Sequence, residues 1–303
     1  MPRVLVVCLN PTFQRTMIFD SYKEGEVNRA KQVFFEASGK GVNVSRVLSQ
    51  KGSFNLLLTH IGYNSTEEMI KLCEKDNINL LYTVAKNTRN RTCTTLLNKD
   101  SITELVEEPD SVEEADVVRI MSLFNDNIDY CDALIISGTK SPGYYKELYP
   151  YFVKKAKELN KFVLLDLKGE DLINSIKYSP DVIKPNLSEF VKTFFNENIS
   201  ECEFSDKYKV RVIEKMKELY EKNGIKCIIT AATNPVWSYS DNNFKEFEII
   251  KSIKVVNTIG CGDTFSASLT HNIINNNSFE ESIKAAIQDS AKNAENIKPG
   301  NIL

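Results

Sequence analysis

Two stretches of this chain, Val4 to Leu9 and Ala133 to Ser137, are apolar at almost every position over the length of one strand. A strand wetted on one face alternates polar with apolar residues. A run without alternation has both faces buried, as in a parallel sheet covered by helices. Val4 to Leu9 ends at the turn pair Asn10-Pro11 and is expected to be the first strand of that sheet. Further strands are predicted at Phe54–Ile61, Ile78–Val84, Phe162–Leu167, Val182-Ile183, Cys227–Thr230, Val236–Tyr239 and Phe244–Ile250. Helical periodicity marks Thr66–Lys75, Val112–Asn125, Tyr144–Leu159, Asp206–Lys222 and two C-terminal helices. Strand and helix alternate, so the fold class is α/β, with a mostly parallel sheet covered on both faces and ligands expected at the carboxyl ends of its strands.

Two interruptions break this rhythm. Thr12–Phe19 and Glu26–Ala37 alternate like half-exposed antiparallel strands, and Arg91–Asn98 with Ile102–Glu107 reads as a hairpin around Lys99-Asp100-Ser101. They predict a small β appendage, from about 12–37 and 91–108, on a single domain spanning 1–303.

Composition narrows the function. The 38 basic residues are scattered among 41 acidic ones for a net charge of −3, which leaves no basic face for nucleic acid. The apolar run at the start is too short for a signal-peptide core and no later run reaches membrane-spanning length, so no membrane partner and a cytoplasmic location are expected. The 7 cysteines are odd in number and lack C-x-x-C spacing, which argues against a disulfide framework and a zinc site. With 2 histidines, His60 and His271, a histidine metal site or Ser-His relay has little material.

The chemistry concentrates in two glycine-rich turns that open helices. In Asn257-Thr258-Ile259-Gly260-Cys261-Gly262-Asp263-Thr264, a short β segment (Ile253–Val256) is expected before the glycines, and a helix with Phe265, Leu269 and Ile273 on its buried face after them. Glycines at a helix N-terminus bare amide hydrogens along the positive end of the dipole, forming an anion seat. Asp263 beside it is either a general base or a helix cap. The second turn, Ser38-Gly39-Lys40-Gly41-Val42-Asn43, adds a positive charge and an amide, but lacks the spacing of a P-loop.

Leu9-Asn10-Pro11, Ser38-Gly39-Lys40-Gly41-Val42-Asn43-Val44-Ser45-Arg46, Arg91-Thr92, Ser137-Gly138-Thr139, Lys184-Pro185-Asn186 with Glu189, and Asn257 to Thr264 fall in the order and spacing of the ribokinase-like (PfkB) carbohydrate kinases. The chain resembles most the branch of 1-phosphofructokinase and tagatose-6-phosphate kinase. The resemblance implies a three-layer α/β/α fold with a β-sheet lid that transfers the γ-phosphoryl of ATP to a sugar hydroxyl. By it, Asp263 accepts the hydroxyl proton and the amides of Gly260, Cys261 and Gly262 hold the developing charge. Asn186 and Glu189 match the N-x-x-E motif that organises Mg2+, through water, and the nucleotide phosphates, with Lys184, Thr230 and Asn257 on the nucleotide side. Lys40 and Arg91 match positions that grip the phosphate already on the sugar, while Gly39, Asn43 and Thr139 meet the sugar.

Four departures stand out. Gln14 occupies a position where this branch has Asp, and could alter hydroxyl selectivity. Ser38 and Cys261 replace Gly and Ala, and Thr230 to Val236 lacks a glycine common on the nucleotide side. The expected activity is phosphorylation of fructose 1-phosphate to the 1,6-bisphosphate. Tagatose 6-phosphate and fructose 6-phosphate are the competing substrates, and a non-catalytic sugar-phosphate sensor is the alternative of another class. The β appendage suggests a homodimer through its edges.

Overall fold

The computed structural model describes residues 2–99, 101–199 and 206–303, so Asp100 of the expected hairpin turn and Cys202 lie outside the described residues. The strands are β1 (Arg3–Cys8), β2 (Thr12–Ile18), β3 (Gln32–Ser38), β4 (Phe54–Gly62), β5 (Asn79–Ala85), β6 (Arg91–Leu97), β7 (Ile102–Val106), β8 (Ala133–Ser137), β9 (Phe162–Asp166), β10 (Val182–Ile183), β11 (Lys226–Ile229), β12 (Val236–Ser240) and β13 (Asn243–Phe247). The helices are α1 (Lys40–Gln50), α2 (Thr66–Lys75), α3 (Glu114–Ile128), α4 (Leu148–Glu158), α5 (Gly169–Ser175), α6 (Leu187–Phe195), α7 (Asp206–Asn223), α8 (Cys261–Ile274) and α9 (Phe279–Ala294).

β1 explains the layering. Its unbroken apolar run sends Leu5 and Val7 to one face and Val4, Val6 and Cys8 to the other. The first face packs on α3 to α7 through Phe124, Phe152, Leu172, Phe190 and Met216. The second packs on α1, α2, α8 and α9 through Val47, Met69, Phe265 and Ile283. The nine-stranded sheet runs β13-β12-β11-β10-β9-β8-β1-β4-β5 and is parallel from β11 to β5, with β12 and β13 antiparallel at one edge.

The chain moves outward from β1 to β4 and β5, then restarts at β8 on β1's other side and moves outward again. Adjacent strands whose connections leave in opposite directions open a crevice at their carboxyl ends, and β1 and β8 make it here. Asn10 and Thr139 stand at its mouth, joined by a hydrogen bond from Asn10 Nδ2 to Thr139 Oγ1 of 3.0 Å. The appendage is a second sheet, β3-β2-β6-β7, inserted after β1 and after β5.

Several expectations need correction. Ile253–Val256 is not a strand, because the amides of Val256 and Asn257 both turn to the carbonyl of Ala294 at the end of α9. The extended segment expected from Glu26 begins only at Gln32, since Asn28 bonds back to Lys23 and Glu26 and closes a polar loop. β13 ends at Phe247, short of Ile250. α8 is buried on every side from Asp263 to Thr270, where its periodicity suggested one buried face.

α1 lies so close to β1 that a Cβ at Gly41 would stand 2.5 Å from Cys8 Cβ and 3.1 Å from the Val7 carbonyl oxygen. Overpacking there outweighs the better helix propensity of alanine, so Gly41→Ala is expected to lower stability by about 1–3 kcal/mol in urea denaturation. An unchanged urea midpoint would show that α1 can move off the strand freely.

Candidate active site

The two glycine-rich turns, distant in sequence, meet in space. Asn43 Nδ2 on α1 donates to Asp263 Oδ2 on α8 over 2.7 Å. Asp263 does not cap its helix: the N-cap is Gly260, no side chain makes a capping bond there, and the carboxylate faces across to the neighbouring helix. Gly260 has φ 83°, and a Cβ there would come within 2.8 Å of the Gly300 amide nitrogen. Only glycine permits both the left-handed turn and that approach.

Around Asp263 lie two lysines and two more carboxylates. Asp166, the last residue of β9, faces Lys184 Nζ at 3.3 Å and Lys40 Nζ at 3.5 Å. Lys40 also faces Glu189 Oε1 at 3.5 Å. Lys184 lies by the anion turn, its Nζ 3.5 Å from where a Cβ of Gly262 would be. The side chain of Lys40 is 40% exposed whereas that of Asp166 is 2% exposed, so the charged cluster runs from an open cleft into the interior.

Burial sets the balance of protons. It raises Asp263 from 3.8 to about 6, with Asp166 adding to the rise and Lys40, Asn43 and Lys184 opposing it. For Asp166, burial alone would raise the pKa, but Lys184 and Lys40 more than offset it and hold the carboxyl below its usual value. Burial works against the charge of Lys40, yet Asp166, Glu189 and Asp263 together hold its ammonium above the usual lysine value. A carboxylate near neutrality beside two cations and a bare helix N-terminus can accept a proton from a hydroxyl while an anionic group is held next to it.

The cleft between the two sheets measures about 390 Å³, and Lys40, Arg91, Thr139 and Glu189 line it together with Asn10, Asp166 and Lys168. Glu104 and Val106 of β7 close it from the small sheet. A larger hollow of about 530 Å³ lies on the other side of Arg91, among Asn64, Arg89, Glu107 and Asp110, and holds no group from either glycine turn. The cleft, smaller but next to the charged cluster, is therefore the candidate site.

Other expected residues sit differently. Gln14 does not line the cleft; it is buried in the small sheet and its amide donates to Thr95 Oγ1 at 2.6 Å. Gly39 is the N-cap of α1, with a Cβ position 3.3 Å from the Asn10 carbonyl oxygen and Cys8 Sγ. Asn186 caps α6: its Oδ1 accepts from the Glu189 amide at 2.7 Å and from Ser188 Oγ at 2.9 Å. Glu189 Oε2 accepts in return from the Asn186 amide at 3.2 Å, which leaves Oε1 toward Lys40 and Lys168. Thr230 bridges to Asn186 at the end of β11, its carbonyl accepting from the Leu187 amide at 2.8 Å. Asn257 is fully buried, bonded to the Ile297 carbonyl at 2.8 Å and the Ile259 amide at 3.1 Å, and shapes the turn from behind. Burial pushes the Cys261 thiol up to about 11, the opposite of what a nucleophile requires.

Asp166 is the residue the sequence reading passed over. Its signal was an acid ending an otherwise apolar strand, at the carboxyl edge where ligands bind. Asp166 Oδ1 is buried without a hydrogen-bond partner, and Glu189 Oε1 stands across Lys40 from it. Two hard carboxylate oxygens suit a Mg2+ ion that keeps most of its water and takes its remaining ligands from phosphates. Among the described residues no cluster of three or more His, Cys, Asp or Glu could enclose a metal on its own.

The raised pKa of Asp263 has a measurable consequence for stability. The folded chain holds this proton more tightly than the unfolded chain, so stability falls as pH rises from 3.8 to about 6 and the loss is complete above that. Asp263→Asn is expected to unfold about 2–3 kcal/mol harder than the parent at pH 8, the gain vanishing near pH 4. A gain that does not change with pH would contradict this origin.

The pfkB family carbohydrate kinases match the chain over residues 5–298. Phosphofructokinase-2 of Escherichia coli superposes with a TM-score of 0.84 at 18% identity, over 98% of this chain and 94% of that one. A possible 1-phosphofructokinase of Thermotoga maritima gives 0.84 at 19% identity, over 99% and 94%. Ribokinase of the same organism gives 0.74 at 18% identity, over 99% and 95%. These likenesses fix the α/β fold as ribokinase-like, and the match over almost all of its length shows that the chain belongs to the pfkB family of carbohydrate kinases.

Proposed function

We propose that the protein phosphorylates a ketohexose that already carries a phosphate, fructose 1-phosphate being the first choice, with ATP as donor. The observation that carries this reading is the Asp263 carboxylate, buried behind the cleft lining, held by Asn43 in the first turn of α8 and electrostatically coupled to Lys40 and Asp166, which do line the cleft. In phosphoryl transfer the charge lies on the transferring oxygens, so catalysis rests on positioned donors while the base aims the nucleophile. Asp263 takes the hydroxyl proton, and the amides from Gly260 to Asp263 hold the transferring group. Lys184, Asn186, Glu189, Thr230 and Asn257 organise the nucleotide side. Glu189 and Asp166 would hold Mg2+ through water, and when bound it neutralises phosphate charge and orients the donor.

Arg91 suits the substrate's own phosphate. Its Nη1 donates to the Glu107 carbonyl at 3.2 Å, while its Nε is buried without a partner and retains bonding capacity. The charge on Lys40 is already shared by two carboxylates, so an incoming phosphate would draw this lysine from them. Gly39, Asn43 and Thr139 frame the sugar. Gln14, committed to Thr95, would act on hydroxyl selectivity only indirectly.

We also propose that the small sheet serves as a lid and as the contact for a second copy. Val33 is 55% and Leu105 54% exposed, and by strand register they share one face of that sheet. Among the described residues no helix is long and apolar enough to cross a membrane and six cysteines are free thiols, so we place the reaction in the cytoplasm.

A coupled assay for ADP release over fructose 1-phosphate, tagatose 6-phosphate, fructose 6-phosphate and free fructose tests the reading. Saturable turnover with the highest kcat/KM for fructose 1-phosphate is expected. Tight binding without turnover would make the protein a sensor, and equal turnover of free fructose would remove the phosphate requirement. Asp263→Asn is expected to cut kcat about 10²–10⁴-fold with both substrates still bound.

A further inference from the structure

Arg46 does not line the cleft, yet at 1% exposure it is the largest charged side chain fully buried among the described residues. It stands one turn after Asn43 on α1, and four acceptors surround its guanidinium. Nε donates to Asp76 Oδ2 at 2.7 Å, Nη1 to Asn43 Oδ1 at 2.9 Å and to the Pro299 carbonyl at 2.7 Å, and Nη2 to the Ala37 carbonyl. These partners come from the end of β3, from α1, from the residue after α2 and from the loop after α9.

A guanidinium carries five N–H donors and no acceptor, so whatever faces it must accept. Asn43 can meet that demand only with Oδ1, which also accepts from Ser38 Oγ at 3.2 Å. The amide nitrogen is thereby sent the other way, to Asp263 Oδ2 at 2.7 Å. A flipped amide would set oxygen against the carboxylate and nitrogen against the guanidinium, two repulsive contacts in a buried place where neither can be relieved by water.

We infer that Arg46 is a positioning residue for phosphoryl transfer, acting through the orientation of Asn43 to keep one oxygen of Asp263 hydrogen-bonded and its carboxylate aimed at the acceptor hydroxyl. The inference rests on the reading of Asp263 as the base. Asp76 holds Arg46 in turn and also accepts from Lys298, whose ammonium lies 3.6 Å from Glu36 on β3. A line of charge-assisted contacts thus joins the small sheet to the base.

Two measurements test it separately. The first is nitrogen-15 NMR of the Asn43 side-chain amide in the protein without substrate, assigned with Asn43→Ser. In the parent the two protons are expected as resolved, slowly exchanging signals. In Arg46→Lys, which keeps the charge but cannot span four acceptors, they are expected to approach the shifts and exchange of a free amide; unchanged signals overturn the inference whatever the enzyme does. The second is kinetic, with fructose 1-phosphate and ATP. Arg46→Lys is expected to lower kcat about 10–100-fold with KM values within about twofold, and to add less than about twofold to the loss caused by Asn43→Ala. Independent, multiplying losses, or KM rising in step with falling kcat, would mean a structural role only and overturn it.

Should Arg46→Lys not fold, Arg46→Met carries the same kinetic test, since it keeps an unbranched apolar stem and removes every donor toward Asn43 Oδ1 while leaving Asn43 and Asp263 themselves unchanged. A similar fall in kcat supports the inference and an unchanged kcat refutes it. If the amide signals respond but the parent turns over no sugar phosphate, the base reading fails and the positioning of Asn43 stands.

Discussion

The hydrogen bond between Asn43 and Asp263 is the constraint around which the site is built, for it joins residues 220 positions apart. It requires α1 and α8 to lie side by side on one face of the sheet with their N-termini level. Glycines make that possible: Gly41 lets α1 settle on β1, and Gly260 lets α8 start against Gly300. Where two helix N-termini point at one place, positive potential accumulates without any mobile charge. Two buried carboxylates and the half-buried Glu189 can therefore gather nearby without driving the structure apart, provided Lys40 and Lys184 stand between them.

That cluster is close to electrostatic balance by design of its parts. Asp166 is shared by both lysines, Lys40 by two carboxylates, and Asp263 alone is left to a neutral amide donor. The difference in partners separates the protonation behaviour of two aspartates that are both buried. One is held ionised by its cations and the other sits near neutrality, the separation of roles that acid–base chemistry needs.

Much of the fold was legible because burial on both faces leaves an unmistakable pattern. Val4 to Leu9 and Ala133 to Ser137 became neighbouring central strands. Thr66–Lys75 was bounded to the residue. Irregular segments were less legible: Ile253–Val256 has strand composition, but its outcome was decided by the free carbonyl of Ala294, a tertiary partner that no local pattern reveals. The glycine turns could be read from spacing because their demand on the backbone is local. Asp166 could not, since one acid at the end of a strand acquires meaning only when Lys40 and Lys184 arrive from elsewhere. Gln14 shows the converse, for its position promised a sugar contact and a neighbouring hydroxyl claimed its amide.

The separation between the two glycine turns also bears on how the chain acquires its shape. Contacts between remote segments are bought with the entropy of closing a long loop and tend to form after the local helices and neighbouring strands. A partly folded chain can then possess a good sheet and most of its apolar core while the catalytic groups are still apart. Strengthening the join between α1 and α8 would, on that ordering, prolong the lifetime of the native state more than it would hasten its arrival.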